Sequence, residues 1–375
     1  MLPIYLDYNA TTPIAKEVKF AMLPLLDDFY ANPSSSHFLG SIAKTVVDNS
    51  HKDVAALLGC DPEEIIFTSG GTESNNHAIR GYCYQNRRKG NHIITSAIEH
   101  PSVLEVCLEL EREGFDLTVL PVDSFGQVMP EDLEKEIRPD TILITIMHAN
   151  NEVGTIQRIP ELTRIARKYG IAFHTDAAQS VGKIPVLVDE LGVDMLSVAG
   201  HKLYAPKGIG ALYVREGIEI KNLMFGAGHE RGRRPGTENV LEIAGFGEAC
   251  KLINENLRKY QRHYQKMKDF LFASLKIALG ENNIRLNGHP TECLPNTLSV
   301  GFLEVNAHDL IVKIGNEVAV SAGSACHADL VTISSVLKAL HVPDKWAQGT
   351  VRFSVGRETT RDQITQAVAL IKEAM

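Results

Sequence analysis

Short apolar segments alternate with amphipathic, helix-like segments between about residue 50 and residue 215. Several of the short segments are apolar at consecutive positions, which is typical of strands buried on both faces of a mostly parallel sheet. The segments that predict strands are residues 65–68, 92–95, 117–121, 141–147, 172–174, 195–198 and 209–214. Between them, apolar residues recur at helical spacing, as in Val103, Val106, Cys107 and Leu110, and in Leu162, Ile165, Ala166 and Tyr169. The pattern therefore predicts a doubly wound α/β layout.

The pattern changes after Thr237. Apolar residues between positions 253 and 278 predict one long helix, which Gly280 ends. Strands are predicted at residues 298–300, 318–320 and 351–355. A last helix is predicted from Thr360, whose hydroxyl can form a capping box with Gln363. We therefore expect a large domain over residues 12–255 and a smaller α+β domain built from residues 1–11 and 256–375.

Composition and charge narrow the class of protein. Of the 375 residues, 44% are hydrophobic and 22% are charged, which is ordinary for a globular enzyme. The formal net charge of −8 argues against wholesale nucleic-acid binding. The apolar runs are shorter than a membrane span, and the first residues show no signal core or arginine-rich presequence. We expect a cytoplasmic protein with neither a nucleic-acid nor a membrane partner.

The six cysteines contain no C-x-x-C pair, and we interpret them as reduced thiols. They are Cys60, Cys83, Cys107, Cys250, Cys293 and Cys326. No spaced set of cysteines and histidines resembles a zinc site, so no metal is expected. Cys326 lies among small residues beside His327, in a stretch that predicts a mobile or close-packed loop. A buried thiol is the usual interpretation of a cysteine, but a nucleophilic thiol suits this setting as well.

Lys202 and Asp176 follow two apolar segments of the predicted sheet and together indicate a cofactor pocket. A lysine can form a Schiff base with pyridoxal phosphate, while an aspartate keeps the ring nitrogen protonated so that the ring accepts electrons. Taken singly, Lys202 is equally compatible with a surface lysine, and Asp176 with a helix cap. The pair suits the chemistry of an amino acid at its Cα.

Other polar residues also follow predicted strands, where functional groups of open α/β sheets gather. Residues 68–76 open a helix with small hydroxyl residues and two glycines, which suits either a phosphate or an ordinary capped helix start. Residues 150–154 suit a turn. His100 is compatible with a satisfied polar group or with a catalyst. Arg352 suits a substrate carboxylate or a salt bridge between domains.

Residues 226–239 form a basic, glycine-rich stretch in an acidic protein. A solvated charged loop is the default interpretation of such a stretch. The three arginines beside glycines and Thr237 leave an anion-binding loop open as the alternative.

Taken in order, these stretches match a known family. They are residues 5–13, 32–35, 68–76, 99–100, 150–154, 174–179, 200–202, 233–239, 323–326 and 352–357. The chain resembles the cysteine desulfurases of the class V aminotransferase group, which are fold-type I pyridoxal-phosphate enzymes. The resemblance covers nearly the whole chain and implies a PLP-dependent transferase fold with a large, mostly parallel, doubly wound sheet domain and a smaller α+β domain.

The resemblance also implies roles for individual residues. Lys202 carries the cofactor and moves the Cα proton, and His100 stacks on the ring and shuttles protons. Cys326 attacks the substrate sulfur, leaving a persulfide and alanine. The remaining implied contacts are Asp176 to the ring nitrogen, Gln179 to the ring oxygen, Gly71, Thr72 and His201 to the phosphate, Thr237 to the phosphate from a second subunit, and Asn151 and Arg352 to the substrate carboxylate and the ring.

The family resemblance has one departure, at Ala199. Many cysteine desulfurases place there a serine hydroxyl that binds the cofactor phosphate, so phosphate binding relies more on Thr72, His201 and Thr237. A small apolar residue at this position also resembles selenocysteine lyases, and the substrate stays open between L-cysteine and L-selenocysteine.

The resemblance implies a homodimer that passes sulfur to an acceptor or iron–sulfur scaffold protein. The spacing from Cys326 to Arg352 is similar to that of the subgroup whose cysteine reaches acceptor proteins. The alternatives are a plain aminotransferase or PLP lyase in which Cys326 is incidental, and a non-enzymatic scaffold for sulfur acceptors. A scaffold has no use for Lys202 and Asp176 together.

Overall fold

The structure, a computed structural model, describes residues 2–322, 324–327 and 330–375, with the side chains of residues 323–332 outside the described part. The strands, in chain order, are β1 (Ile4–Tyr5), β2 (Ile65–Thr68), β3 (His92–Ser96), β4 (Asp116–Leu120), β5 (Thr141–Thr145), β6 (Ala172–Asp176), β7 (Met195–Ala199), β8 (Gly210–Val214), β9 (Ile284–Asn287), β10 (Thr297–Phe302), β11 (Val318–Ala319), β12 (Ser321–Ala322), β13 (Ser324–His327), β14 (Leu330–Ile333) and β15 (Thr350–Ser354). The α-helices are α1 (Lys16–Asp27), α2 (Phe38–Leu58), α3 (Gly71–Asn86), α4 (Pro101–Arg112), α5 (Pro130–Glu136), α6 (Ile159–Lys168), α7 (Val188–Leu191), α8 (Val240–Leu279), α9 (Ala307–Ile314), α10 (Ser335–Ala339), α11 (Asp344–Ala347) and α12 (Arg361–Ala374).

A seven-stranded sheet with the order β2-β8-β7-β6-β5-β3-β4 forms the larger part of the fold. The strands from β4 to β7 in this order pair in parallel, whereas β8 is antiparallel to both of its neighbours. All seven strands predicted in the first half of the chain lie in this sheet, which confirms the mostly parallel α/β prediction. Asp176 ends β6 and Ala199 ends β7, so the polar residues after these strands meet at one edge.

A second, antiparallel sheet with the order β12-β15-β10-β9 lies in the smaller part, beside the parallel pair of β1 and β11. Helix α8 contributes to both parts. Its first half packs Phe246 and Ile253 into the core of the large sheet, and its second half packs Met267 and Leu271 into the core of the small one. Burial of each such side chain contributes about 1.5–3 kcal/mol. Two separate cores support the predicted domains, whose boundaries stay a prediction.

The end of α8 and the start of α12 both agree with the sequence pattern. The backbone N–H of Gly280 donates to the carbonyl of Lys276 and ends α8. At the start of α12, the Thr360 hydroxyl accepts from Gln363 N at 3.2 Å and the Gln363 side chain accepts from Thr360 N at 3.0 Å. The predicted capping box is therefore confirmed.

Two local predictions are wrong. The stretch around Cys326, predicted as a loop, forms β12 and β13, and β13 pairs antiparallel with β14 so that Cys326 lies opposite Val331. Backbone hydrogen bonding to the β-branched residues of β14 overrides the loop character of small residues. Tyr169 was predicted on the buried face of α6, but it follows the end of that helix and is 46% exposed.

The described residues contain free thiols at Cys60, Cys83, Cys107, Cys250 and Cys293. Within the same part of the chain, no group of three or more histidine, cysteine or acidic residues is arranged to hold a metal ion. None of the helices described there is both long and apolar enough to cross a membrane.

Candidate active site

A cavity of about 330 Å³ opens at the edge of the large sheet where β6 and β7 end. Nine of the residues predicted for the site line it: Gly71, Thr72, His100, Asn151, Asp176, Gln179, His201, Lys202 and Arg352. The wall is completed by Asn9, Ala10, Asn75, Ser102, Met147, Ala149, Ala178 and Ala199. Residues separated by more than 340 positions in the chain therefore converge on one cavity.

Lys202 lies in a single helical turn directly after β7 and is partly buried. Its Nζ donates to the main-chain carbonyls of Asn9 and Ala10, the latter at 2.7 Å. Burial, and then the nearby Arg352 guanidinium, lower the pKa of Lys202 to about 8. The structure thus excludes a surface lysine, and the amine is partly neutral near pH 8.

Asp176 is 7% exposed and makes two contacts through its two carboxylate oxygens. Oδ1 accepts from the backbone N–H of Ala178 at 2.9 Å, which is the capping contact expected of an aspartate at the end of a strand. Oδ2 accepts from Nδ2 of Asn75 at 2.8 Å. Asn75 also donates to the Ser102 hydroxyl at 2.8 Å, so α3 and α4 jointly hold the carboxylate at the cavity wall.

His100 precedes α4 and caps it with its own ring. Nδ1 accepts from the backbone N–H of Ser102 at 3.1 Å and lies 2.8 Å from the Ser102 hydroxyl. An Nδ1 that accepts places the proton of the neutral ring on Nε2. Burial lowers the pKa of His100, and the nearby Asp176 carboxylate opposes this shift. His100 is therefore both a satisfied polar group and a ring on the cavity wall.

The N-terminus of α3 faces the cavity at Gly71 and Thr72. The first N–H groups of a helix lack partners within the helix and attract anions. A Cβ placed on Gly71 would lie 3.3 Å from the Cβ of Ala199, so these two small residues let the helix start close to the end of β7. Ala199, which lacks the serine hydroxyl of many cysteine desulfurases, therefore packs closely against the start of α3.

Gly210 is the backbone position that allows this close approach. A Cβ on Gly210 would lie 2.5 Å from the Val198 carbonyl oxygen and 2.7 Å from the Gly70 Cα, both of them backbone atoms. Gly210→Ala is expected to lower the free energy of unfolding by about 1–3 kcal/mol because backbone cannot turn aside as a side chain can. Urea unfolding measures the loss, with Gly228→Ala as the matched control, since nothing lies within 4 Å there. Equal stability of the two variants would contradict the prediction.

His201 and the N-terminal segment close the opposite wall. Nδ1 of His201 lies 3.2 Å from the Thr11 hydroxyl, and the Thr12 hydroxyl donates to the His201 carbonyl at 3.0 Å. Burial first, and then the charges of Lys202 and Lys207, lower the pKa of His201 to about 4. The ring is therefore neutral at physiological pH.

Arg352 lies on β15 and joins the two sheets at the cavity. Nη2 pairs with Oδ1 of Asp7 at 2.7 Å and donates to the Ser321 hydroxyl at 3.0 Å, while Nη1 donates to the Asn151 carbonyl at 3.1 Å. The buried Nε has no partner among the described residues. The salt bridge with Asp7 lies within the smaller predicted domain and not between domains as considered from sequence, and the same guanidinium also lines the cavity.

Asn9, for which the sequence predicts no role, is buried and lines the cavity. Its main-chain carbonyl accepts from Gln179 Nε2 at 3.1 Å and from Lys202. Its Nδ2 donates to Thr297 Oγ1 at 2.8 Å and to the Asn151 carbonyl at 3.2 Å. Asn9 therefore connects the cavity to both sheets. Its position in the matched stretch of residues 5–13 was the available signal.

Of the predicted site residues that the structure describes, Thr237 does not line the cavity. Thr237 is exposed and lies away from it in the single chain. The Cys326 side chain lies outside the described residues, although its backbone belongs to β13.

The arginines near Thr237 contact groups of their own chain. Arg234 pairs with Glu73 at 2.9 Å, Arg231 with Glu63 at 3.7 Å, and Arg233 donates to backbone carbonyls. The three arginines of this stretch therefore have partners within the chain, and the anion-binding interpretation stays a prediction.

The cavity has groups that fit pyridoxal phosphate. It presents a helix N-terminus for the phosphate, a buried carboxylate for the ring nitrogen and a lysine amine of lowered pKa for the aldehyde. The buried Oδ1 of Asn75, a residue of the same wall, has no partner among the described residues. The residues present fit this cofactor.

Comparisons with known proteins agree with this geometry. The family model described as aminotransferase class-V matches residues 4–367. Cysteine desulfurase IscS of Dictyoglomus turgidum is 46% identical over 370 residues, which cover 98% of this chain and 93% of that protein.

Solved structures give the same result for the fold. A NifS-like protein has a TM-score of 0.93 at 36% identity, covering 100% of this chain and 99% of that chain. A structure described as SspA in complex with cysteine has a TM-score of 0.80 at 36% identity, covering 95% of this chain and 99% of that chain. The chain belongs to the class-V aminotransferase family.

Proposed function

We propose that this chain is a pyridoxal-phosphate-dependent cysteine desulfurase that converts L-cysteine to L-alanine and leaves the sulfur as a persulfide on Cys326. The observation that carries the proposal is the meeting of Lys202, Asp176 and Arg352 in one cavity. The names of the relatives support cysteine as the substrate in preference to selenocysteine.

Within one chain, the residues that we propose to hold the cofactor all line the cavity. The N–H groups at Gly71 and Thr72 and the neutral His201 ring bind the phosphate, and Asp176 binds the ring nitrogen. The remaining contacts are made by Gln179 at the ring oxygen, His100 on the ring face and Asn151 beside it. When bound, pyridoxal phosphate withdraws electrons from the Cα of an amino acid joined to it.

Lys202 and Arg352 act on the substrate. The Lys202 amine, with a pKa of about 8, accepts a proton from Cα near neutral pH and returns it later. The Arg352 guanidinium binds the substrate carboxylate, while its contact with Asp7 holds it in place. Asn151, whose main-chain carbonyl accepts from Arg352, orients the same carboxylate from beside the guanidinium.

Cys326 receives the sulfur as a thiolate. A bond forms between its Sγ and the substrate sulfur, and the carbon–sulfur bond breaks. The electron pair of the broken bond stays on carbon, which takes up a proton and becomes the methyl group of alanine. The thiolate is thereby oxidised to a persulfide and the carbon is reduced, so no further oxidant is required.

The assembly and the downstream partner complete the proposal. Thr237 is exposed and away from the cavity of its own chain, which supports a contact with the phosphate of a second subunit in a homodimer. The persulfide then passes to a sulfur-acceptor or iron–sulfur scaffold protein. The domains extend over residues 12–255, and over 1–11 with 256–375.

The test compares L-cysteine and L-selenocysteine as substrates of the purified, cofactor-loaded protein in the presence of a dithiol. We expect alanine and sulfide from cysteine in equal amounts, because the dithiol reduces the persulfide. Turnover of selenocysteine alone would assign the protein as a selenocysteine lyase. Pyruvate and ammonia would indicate a plain lyase, and a keto-acid requirement would indicate an aminotransferase. No product from either amino acid would favour the scaffold.

A further inference from the structure

Lys183 is a second buried lysine beside the site, and the reaction described above does not use it. It is 5% exposed and follows β6 in the turn that also contains Gln179. Its Nζ donates to the Gln179 Oε1 at 2.6 Å and to the Asn9 Oδ1 at 2.9 Å. Buried lysines are usually paired with acids, so a lysine held by two amide oxygens indicates a specific task.

Lys183 fixes the orientation of the side-chain amides of Gln179 and Asn9. Because Nζ donates, the atom of Gln179 that faces it has to be the oxygen, and the NH₂ group then lies at the other end. One N–H of that group donates to the Asn9 carbonyl at 3.1 Å. The second N–H is left for a ligand in the cavity that Gln179 lines.

Asn9 is oriented by the same contact. Its Oδ1 accepts from Lys183 and from Nδ2 of Asn296 at 2.9 Å, which directs its own Nδ2 to Thr297 and to the Asn151 carbonyl. Its main-chain carbonyl then accepts from Lys202. Lys183 therefore contacts the Gln179 amide directly and is connected to Lys202 through Asn9.

We propose that Lys183 is a positioning residue that keeps the Gln179 amide turned so that its N–H donates to the ring oxygen of the cofactor. The inference rests on the proposed function, because the ring oxygen belongs to pyridoxal phosphate. An amide turned the other way would place an oxygen against the ring oxygen and lose the hydrogen bond.

The charges around Lys183 agree with this role. Burial, followed by the Lys202 and Arg352 cations, lowers the pKa of Lys183 well below its ordinary value. On its other side a small cavity brings Tyr8, Tyr204, Tyr264 and Arg357 near it. Burial raises the pKa of each of the three tyrosines, so they add no negative charge beside Lys183. The amine has at least two N–H groups in either protonation state, which matches the two amide oxygens.

The experiment removes the Lys183 amine with a substitution that keeps a side chain of similar volume. Lys183→Met is expected to release the bound cofactor about 10- to 100-fold faster, the cost of one hydrogen bond to a charged acceptor. The pH midpoint of the visible absorbance is expected to shift, and kcat to fall while the KM for cysteine changes less than about twofold. Lys268→Met is the matched control, since Lys268 is a buried lysine that donates to Cys293 and to the Leu294 carbonyl outside the cavity.

A double-mutant cycle separates positioning from packing. If Lys183 acts through Gln179, then Lys183→Met adds no further change to the release rate in a Gln179→Leu background. The same fold-change in both backgrounds, or an unchanged spectrum in Lys183→Met, overturns the inference. Should Lys183→Met be insoluble, Lys183→Gln, which is shorter and cannot reach both oxygens, goes through the same cycle under the same criterion.

The wild-type protein distinguishes this inference from the proposed function. A wild-type protein that takes up no cofactor and forms no alanine overturns the proposed function itself. A wild-type protein that does both, alongside a Lys183→Met variant that releases cofactor at the wild-type rate, overturns only the role of Lys183.

Discussion

Lys202→Ala is expected to abolish alanine formation and the visible absorbance of covalently bound cofactor. The variant loses both the nitrogen that joins the cofactor and the base that moves the Cα proton. Loss of a positioned proton-transfer group alone costs about 10²- to 10⁴-fold in rate. The remaining contacts of Asp176, Gly71 and Thr72 lie elsewhere on the cavity wall, so the variant still binds the cofactor non-covalently. Absorbance spectra and alanine assays measure the two losses.

The matched control is Lys207→Ala, which removes an exposed lysine five positions further along the chain. This control is expected to keep both the absorbance and the activity. Added small primary amines should restore part of the activity of Lys202→Ala, because they can enter the space of the lost side chain. Covalently bound cofactor that persists in Lys202→Ala would refute the assignment of this lysine.

The pH dependence of cofactor uptake tests the lowered pKa of Lys202 in the unaltered protein. Only the neutral amine attacks an aldehyde, and the folded-state pKa of about 8 lies below the ordinary value. The uptake rate is therefore expected to rise with pH through 8 and to level off above about 9, whereas an exposed lysine continues to gain reactivity toward about 10.4. Free lysine acetylated at its α-amine, which leaves the side-chain amine available, provides the reference in the same buffers. Uptake that rises without a plateau up to pH 10 would show that the amine is not perturbed.

The large sheet was predictable because each of its strands carries its own local signal. A strand buried on both faces requires consecutive apolar residues, and residues 65–68, 92–95 and 195–198 supply them. The ends of α8 and α12 were predictable for the same reason, since Gly280 and the Thr360–Gln363 pair act within one turn of the chain. The prediction failed for Cys326, whose strand β13 pairs with the neighbouring strand β14, and for Tyr169, which lies beyond the end of α6.

The site was predictable only for those residues whose type alone suggests a chemical role. Lys202, Asp176 and Arg352 carry chemistry that their residue types suggest, and all three line the cavity. The residue types of Asn9 and Lys183 suggest no such chemistry, and for Asn9 the family match of residues 5–13 was the available signal. Their importance comes from a contact across 174 positions of sequence, which periodicity does not reveal.

The environments of the cysteines decide which thiol can take the sulfur. Burial raises the pKa of Cys60 and Cys107 to about 12 and holds those of Cys83 and Cys250 well above the ordinary value. These four are poor nucleophiles near neutral pH because the thiolate is the reactive form. The other two cysteines are Cys293, which lies 3.1 Å from the Lys268 amine, and Cys326.

Cys326→Ala is therefore expected to keep the visible absorbance of bound cofactor while losing alanine and sulfide formation by about a thousandfold or more, as removal of a nucleophile does. Cys293→Ala is the matched control and is expected to retain activity, since its thiol contacts Lys268 away from the cavity. Single-turnover incubation with cysteine, followed by alkylation and mass measurement, should find the extra sulfur on the peptide of Cys326. The reverse result, with sulfur on Cys293 and an active Cys326→Ala, would move the acceptor thiol to the other cysteine. Full activity of both variants would exclude a protein persulfide and leave a lyase that releases sulfide directly.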